Sequence, residues 1–212
     1  MALICPAVTA YSVEDYKDQM DLVATFSNYV HIDLMDGIFA QPESVTLTEV
    51  WWPEAVEATI HLMYDQVIHF LPELIALSPA MVILHTESTD DISTLFKHLK
   101  DHGIRAGIAL FQSTKVIEAS ENIRLADHVM LFSGKLGSFG GKADMSQLTK
   151  IAQIQAIKPD IEIGWDGGVT IDTVSQLSNA GIDVLYVGGA IHRANHPQNA
   201  YRALVHGAGG TD

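Results

Sequence analysis

The segment H-I-D-L-M-D-G, residues 31 to 37, sets an imidazole and a carboxylate two residues apart. Alternate side chains of a strand share a face, so His31 and Asp33 point the same way and can bind one metal ion. Two further apolar runs end on groups of the same kind, His61 in T-I-H-L-M and Asp166 in G-W-D-G-G-V. Imidazole with carboxylate suits zinc, iron, manganese or cobalt better than calcium. Any one of these residues would be unremarkable in a core or on a surface. Four of them do chemistry only if the fold brings their strand ends together.

The elements needed for that are legible. Short apolar runs recur at residues 2–8, 29–35, 58–63, 80–85, 104–110, 127–132, 161–165 and 182–187, and stretches with helical spacing fall at 13–26, 67–77, 91–102, 145–157, 171–180 and 197–206. The runs are rich in Val, Ile and Leu without polar alternation, as expected of parallel strands covered on both faces. Gly103 and Gly181 end helices just before the next strand, and Thr170 or Asp172 can cap the helix after the seventh. No Pro- or Ser-rich linker or charge block marks a boundary. Residues 1–212 therefore read as one domain, a (β/α)8 barrel of eight parallel strands, with a doubly wound open sheet as the alternative. In a barrel the C-terminal ends of strands two, three and seven meet at one mouth.

Composition narrows the partners. A hydrophobic content of 48% in 212 residues is enough for a large core and excludes a disordered chain. The formal charge of -14, from 26 acidic against 12 basic residues spread along the chain, argues against nucleic acid or an anionic membrane as partner. A phosphate ligand must then be held locally, by backbone N–H groups, helix N-termini or a metal. Glycines stand where such contacts are needed: Gly137, Gly140 and Gly141 after the sixth strand, Gly167 and Gly168 after the seventh, Gly188 and Gly189 after the eighth. Cys5 is the only cysteine and reads as a buried strand thiol, which fits a reducing compartment. No run approaches the roughly 20 apolar residues that span a bilayer, and the apolar start lacks a basic leader, so the expected location is cytoplasmic.

In order and spacing, H-I-D-L-M-D-G-I-F (31–39), H-L-M (61–63), H-T-E (85–87), G-S-F-G-G-K (137–142), W-D-G-G-V (165–169) and A-G-I-D-V-L-Y-V-G-G-A-I (180–191) resemble the ribulose-phosphate 3-epimerase family over most of the chain. The resemblance implies a divalent metal ion, zinc first with iron, manganese or cobalt as alternatives, bound by His31, Asp33, His61 and Asp166. It implies that Asp33 and Asp166 are also the catalytic acid and base, and that Met35 and Met63 line the pocket. Gly140, Gly141, Gly167, Gly168, Gly188 and Gly189 would belong to the phosphate loops. The implied reaction is epimerisation at carbon 3 of a ketose phosphate, D-ribulose 5-phosphate to D-xylulose 5-phosphate, through an enediolate, in a homo-oligomer. His85 and Glu87 match a family motif but receive no catalytic role.

Departures from the family pattern cluster around the substrate. Ala7 follows Pro6 where a serine is usual, F-A-Q-P (39–42) replaces F-V-P-N, Phe111 and Gln112 replace N-P, and Gly189 replaces a serine. Lys135 and Lys142 are added cations in a sixth-strand segment, Ser133 to Ser138 and beyond, that departs from the usual V-E-P-G-F-G-G-Q. A hexulose-phosphate (allulose 6-phosphate) 3-epimerase and a non-catalytic sugar-phosphate-binding relative are the competing readings. A Schiff-base aldolase is disfavoured because none of the eight lysines falls in a strand. The D-x-K-x-x-D pattern of decarboxylase barrels is absent, since Leu34, Met35 and Asp36 follow Asp33. Trp51, Trp52 and Pro53 read as packing around the second helix, His98, His102 and His128 as surface groups, and Asp36 as a turn-ordering carboxylate.

Overall fold

The computed structural model describes residues 1–134, 136 and 141–210. Eight strands, β1 (Leu3–Val8), β2 (Tyr29–Met35), β3 (Glu57–Met63), β4 (Met81–His85), β5 (Arg105–Leu110), β6 (His128–Phe132), β7 (Glu162–Asp166) and β8 (Val184–Val187), pair in order. Every pairing is parallel, and β1 pairs with β8 to close the barrel. The closed ring rules out the open doubly wound sheet.

Burial on both faces explains the unbroken apolar runs. Outward residues such as Ile32, Leu34, Ile60, Leu62, Val82 and Leu84 join the large cluster that packs under the helices. The alternate residues point inward, where Cys5, Ile83, Met130, Phe132 and Tyr186 form a second cluster in the barrel's interior. This two-residue alternation is what turns His31, Asp33 and His61 toward the axis. The interior is crowded enough to require a missing side chain at Gly164, where a Cβ would lie 2.5 Å from His128 Nε2 and 2.8 Å from Tyr186.

His128, expected at the surface, is instead fully buried. Its Nδ1 donates to Glu162 Oε1 at 2.8 Å and its Nε2 accepts from the Tyr186 hydroxyl at 3.0 Å, so an imidazole is accommodated without an orphaned nitrogen. Arg105 donates to the same Glu162 oxygen at 2.8 Å. His98 and His102 are exposed, as expected.

Among the described residues eight helices surround the barrel: α1 (Val13–Val23), α2 (Leu71–Leu77), α3 (Ile92–Asp101), α4 (Ser120–Leu125), α5 (Thr149–Ile157), α6 (Val174–Asn179), α7 (Gly189–His192) and α8 (Pro197–Gly207). Tyr16, Met20 and Val23 bury one face of α1, and Ile92, Leu95, Phe96 and Leu99 one face of α3. Ser12 and Asp91 cap these two helices by accepting backbone N–H bonds. Gly103 and Gly181 sit at φ +77° and +97°, in the left-handed region that favours glycine after a helix.

Three expectations are corrected. Trp51, read as packing around the second helix, meets Tyr16 of the first, α1, edge-on at 6.4 Å, and its carbonyl accepts the Tyr16 hydroxyl at 2.6 Å. The helix after β7 starts at Val174, and neither Thr170 nor Asp172 caps it through its side chain; the Thr173 hydroxyl accepts from the Thr170 N–H at 2.9 Å. The α4 segment lay outside the helical stretches read from the sequence, because it is split between a 3-10 turn at Val116–Ala119 and six helical residues.

The hydrogen bond from His128, with Arg105 adding to it, holds the Glu162 carboxyl down to about 2 against burial. A carboxyl depressed in the folded state adds stability above its unfolded value of 4.5 and loses it as pH falls toward 2. Glu162→Gln should therefore be less stable than the wild type in urea at pH 6, and the gap should close between pH 4.5 and 2.

Candidate metal centre

His31, Asp33, His61 and Asp166 converge at the C-terminal mouth of the barrel, each offering one ligand atom within 4.8 Å of all the others. The register explains the convergence: Asp33 lies level with His61, and Asp166 closes the ring from β7 beside Phe132 and Tyr186. Both imidazoles are fully buried, whereas Asp33 and Asp166 keep partial exposure toward the mouth.

His61 Nδ1 lies 2.9 Å from Asp33 Oδ1, and His31 Nε2 lies 3.2 Å from the same oxygen. The second contact falls outside hydrogen-bond geometry, and neither ring nitrogen of His31 has a hydrogen-bond partner among the described residues. A buried imidazole left unbonded beside two carboxylates costs about 1–3 kcal/mol per orphaned group, and a cation coordinated there removes that cost. The two nitrogens and two carboxylate oxygens match the donor set of a borderline divalent ion such as zinc. The residues present therefore fit a metal.

The electrostatics agree. Burial pushes the Asp166 carboxyl well above the usual carboxylate range, and the Asp33 charge adds to the effect. Burial acts upward on Asp33 too, but His31 and His61 outweigh it and hold that carboxyl well below the usual range. The two aspartates titrate as a pair. Burial lowers His61 despite the Asp33 carboxylate, so its ring is inclined to the neutral, ligating form.

Around this cluster lies a cavity of about 280 Å³. Met35 and Met63 line it, and so do Gly141, Gly167, Gly168, Gly188 and Gly189. Gly140, Gly137 and Lys135 lie outside the described residues, and Lys142 is exposed and not among the lining residues. Gly167 and Gly168 are needed where they stand: both have positive φ, and a Cβ would meet Gly134 N at 2.2 Å or Ala143 N at 2.1 Å. The Trp165 indole donates to the Gly167 carbonyl at 2.8 Å and anchors that turn.

Four residues of the mouth went unassigned from sequence. Thr9 donates its hydroxyl to Asp33 Oδ2 at 2.6 Å, close to Ala7, which lines the cavity without a hydroxyl of its own. The Tyr186 ring covers His31 at a centroid distance of 4.0 Å. Arg193, just beyond the Gly188–Gly189 pair, lines the cavity. His85 Nε2 lies 2.8 Å from His61 Nε2, and its Nδ1 lies 3.2 Å from Glu87 Oε2. His85 carried a signal in H-T-E and Tyr186 in A-G-I-D-V-L-Y-V-G-G-A-I; Thr9 and Arg193 stand in segments with no pattern of their own. Asp36 stays out of the site, accepting from the N–H groups of Ile38, Phe39 and Asp65 at 2.7–2.8 Å. Phe111 packs on His85 at 4.5 Å, and Gln112 donates to the Ser133 carbonyl at 2.7 Å.

A closed eight-stranded parallel barrel with a His2Asp2 cluster at its C-terminal mouth defines a (β/α)8 protein built to take a metal at its active-site end. The model of the ribulose-phosphate 3-epimerase family matches residues 3–192, and the chain belongs to that family. It is 26% identical over 217 aligned positions to ribulose-phosphate 3-epimerase of Mycobacterium leprae, covering 98% of this chain and 95% of that one. It is 27% identical to ribulose-phosphate 3-epimerase 2 of Cupriavidus necator, over 85% of this chain and 79% of that one. Among solved structures, 3-hexulose-6-phosphate synthase from Salmonella typhimurium superposes with a TM-score of 0.71 at 17% identity, covering 98% of each chain, a likeness of fold.

Zinc at about 100 times its dissociation constant should stabilise the wild type by roughly 2.7 kcal/mol, which raises Tm by several degrees for a chain of this size. Removing the unbonded imidazole in His31→Ala should abolish most of that zinc-dependent shift in a calorimetric scan.

Proposed function

We propose that the protein epimerises a ketose phosphate at carbon 3, interconverting D-ribulose 5-phosphate and D-xylulose 5-phosphate, with Asp33 and Asp166 as the acid–base pair. The observation that carries this reading is the pair itself: two carboxylates on β2 and β7, at one mouth, with opposed protonation tendencies. Membership of the family supports it.

Inverting a carbon beside a carbonyl requires a proton to leave from one face and another to arrive from the opposite face. One side chain cannot reach both. Asp33, whose carboxyl is shifted below the usual range, is suited to take the proton, and Asp166, whose carboxyl burial shifts above it, to deliver one. The roles exchange in the reverse direction. A divalent ion, zinc by preference, held by His31, Asp33, His61 and Asp166 would supply Lewis acidity against the negative charge that develops next to the carbonyl. Met35, Met63 and Phe132 give the reacting end an apolar wall that limits water. The phosphate end falls to Gly141, Gly167, Gly168, Gly188 and Gly189, whose bare backbones admit close approach, and Arg193 brings positive charge to the same wall.

In deuterium oxide the wild type should place solvent deuterium on carbon 3 of ribulose 5-phosphate, followed by NMR. Asp33→Asn and Asp166→Asn should each slow that exchange by on the order of 10²–10⁴. Near-normal exchange in either variant defeats the two-carboxylate mechanism. Faster exchange on allulose 6-phosphate would move the substrate to the hexulose series, and exchange on neither sugar would leave a binding protein.

A further inference from the structure

His85 and Glu87 lie behind the metal cluster and have no part in the mechanism above, yet they are joined to it by an unbroken line of contacts. Asp33 Oδ1 meets His61 Nδ1 at 2.9 Å, His61 Nε2 meets His85 Nε2 at 2.8 Å, and His85 Nδ1 meets Glu87 Oε2 at 3.2 Å. Both rings are buried. Deep burial without a bonded counter-charge on every nitrogen favours the neutral ring in each. Two neutral rings carry two N–H protons for three contacts.

The contact between the rings must take one proton, because two facing lone pairs repel. One proton is left for two carboxylates, so one end of the line is always short of a donor. Both carboxylates have their other oxygen bonded, Asp33 Oδ2 by Thr9, but only at Asp33 can a cation held by the cluster stand in for the missing proton, so the proton falls to Glu87. Its Oε1 accepts the Phe111 N–H at 2.9 Å and also the Thr114 hydroxyl, which fixes the carboxylate and leaves Oε2 facing His85. A donor at His85 Nδ1 then makes His85 Nε2 an acceptor, and His61 must donate from Nε2. His61 Nδ1 is left as a bare lone pair 2.9 Å from the Asp33 carboxylate. Two acceptors at that separation call for a cation.

We propose that His85 and Glu87 form a positioning relay that sets the tautomer of His61, presenting its Nδ1 lone pair to the metal ion and its proton to His85. The proposal rests on the reading of His61 as a metal ligand. It assigns no contact with substrate to either residue and involves no change of charge. Such partners of ligating histidines typically alter metal affinity by 10–100-fold.

Glu87→Gln gives the sharpest test, because it reverses the relay without removing it. The Phe111 N–H still requires an acceptor, so the amide oxygen takes the Oε1 place and the amide NH2 faces His85 Nδ1. His85 must then accept at Nδ1 and donate from Nε2, and His61 must carry its proton on Nδ1, where it blocks coordination. Long-range ¹H–¹⁵N correlation spectra of the metal-free, ¹⁵N-histidine-labelled protein read these tautomers directly. The wild type should show His85 protonated on Nδ1 and Glu87→Gln should show it protonated on Nε2. Zinc affinity by calorimetry should fall by about 10–100-fold in the variant while its circular dichroism is unchanged. The same His85 tautomer in both proteins, or equal zinc affinity, overturns the relay. If the variant does not fold, the wild-type spectrum alone still decides, since a proton on His85 Nε2 contradicts the proposal. Because the tautomers are read without metal or substrate, loss of the epimerase reading and loss of the relay give different results.

Discussion

Two carboxylates and two imidazoles held within 4.8 Å of one another, at the end of a barrel whose interior excludes water, form an arrangement that cannot satisfy itself. His31 has no hydrogen-bond partner for either nitrogen among the described residues, and burial, with the Asp33 charge beside it, pushes the Asp166 carboxyl well above the usual carboxylate range. In a medium of low effective dielectric these conflicts are costly, and a protein retains them only if something offsets them. A divalent cation does so at once, bonding the lone pairs and balancing the charge. Around that requirement the remaining features fall into place: Thr9 bonds the far oxygen of Asp33, Tyr186 covers one face of the His31 ring, and Met35 and Met63 keep the surroundings apolar.

The barrel makes this frustration affordable by separating the duties of its two layers. Outward strand residues pack under the helices and carry the apolar burial, while inward positions are free to hold polar groups along the axis. The same division appears at the other end of the barrel, where His128 is buried but fully bonded between Glu162 and Tyr186. The contrast is informative: His128 has a partner for each nitrogen, whereas His31 has none among the described residues.

What could be read in the sequence follows from this geometry. The two-residue spacing of His31 and Asp33 survives folding because strand alternation is local, and the apolar runs predicted parallel strands because each needed cover on both faces, their number favouring the barrel over the open sheet. His128 was misread because what buries it is the missing side chain at Gly164, 36 residues away and recognisable only once β6 and β7 are paired. Trp51 was placed on the second helix because its contact with Tyr16 of α1 joins residues 35 apart in the chain and comes only with the fold. The contact of His85 with His61 joins adjacent strands through ring tips, and no spacing along the chain encodes it. Substitutions such as Ala7 and Phe111 were visible as departures, but their surroundings, the Thr9 hydroxyl and the face of His85, came only with the fold.

The most direct test of the cation requirement is X-ray absorption spectroscopy of the protein loaded with one equivalent of zinc. Nitrogen and oxygen scatterers at about 2.0–2.1 Å, with the multiple-scattering signature of two imidazoles, are the expected result. A shell containing sulfur at about 2.3 Å, or one with fewer than two imidazoles, would contradict it.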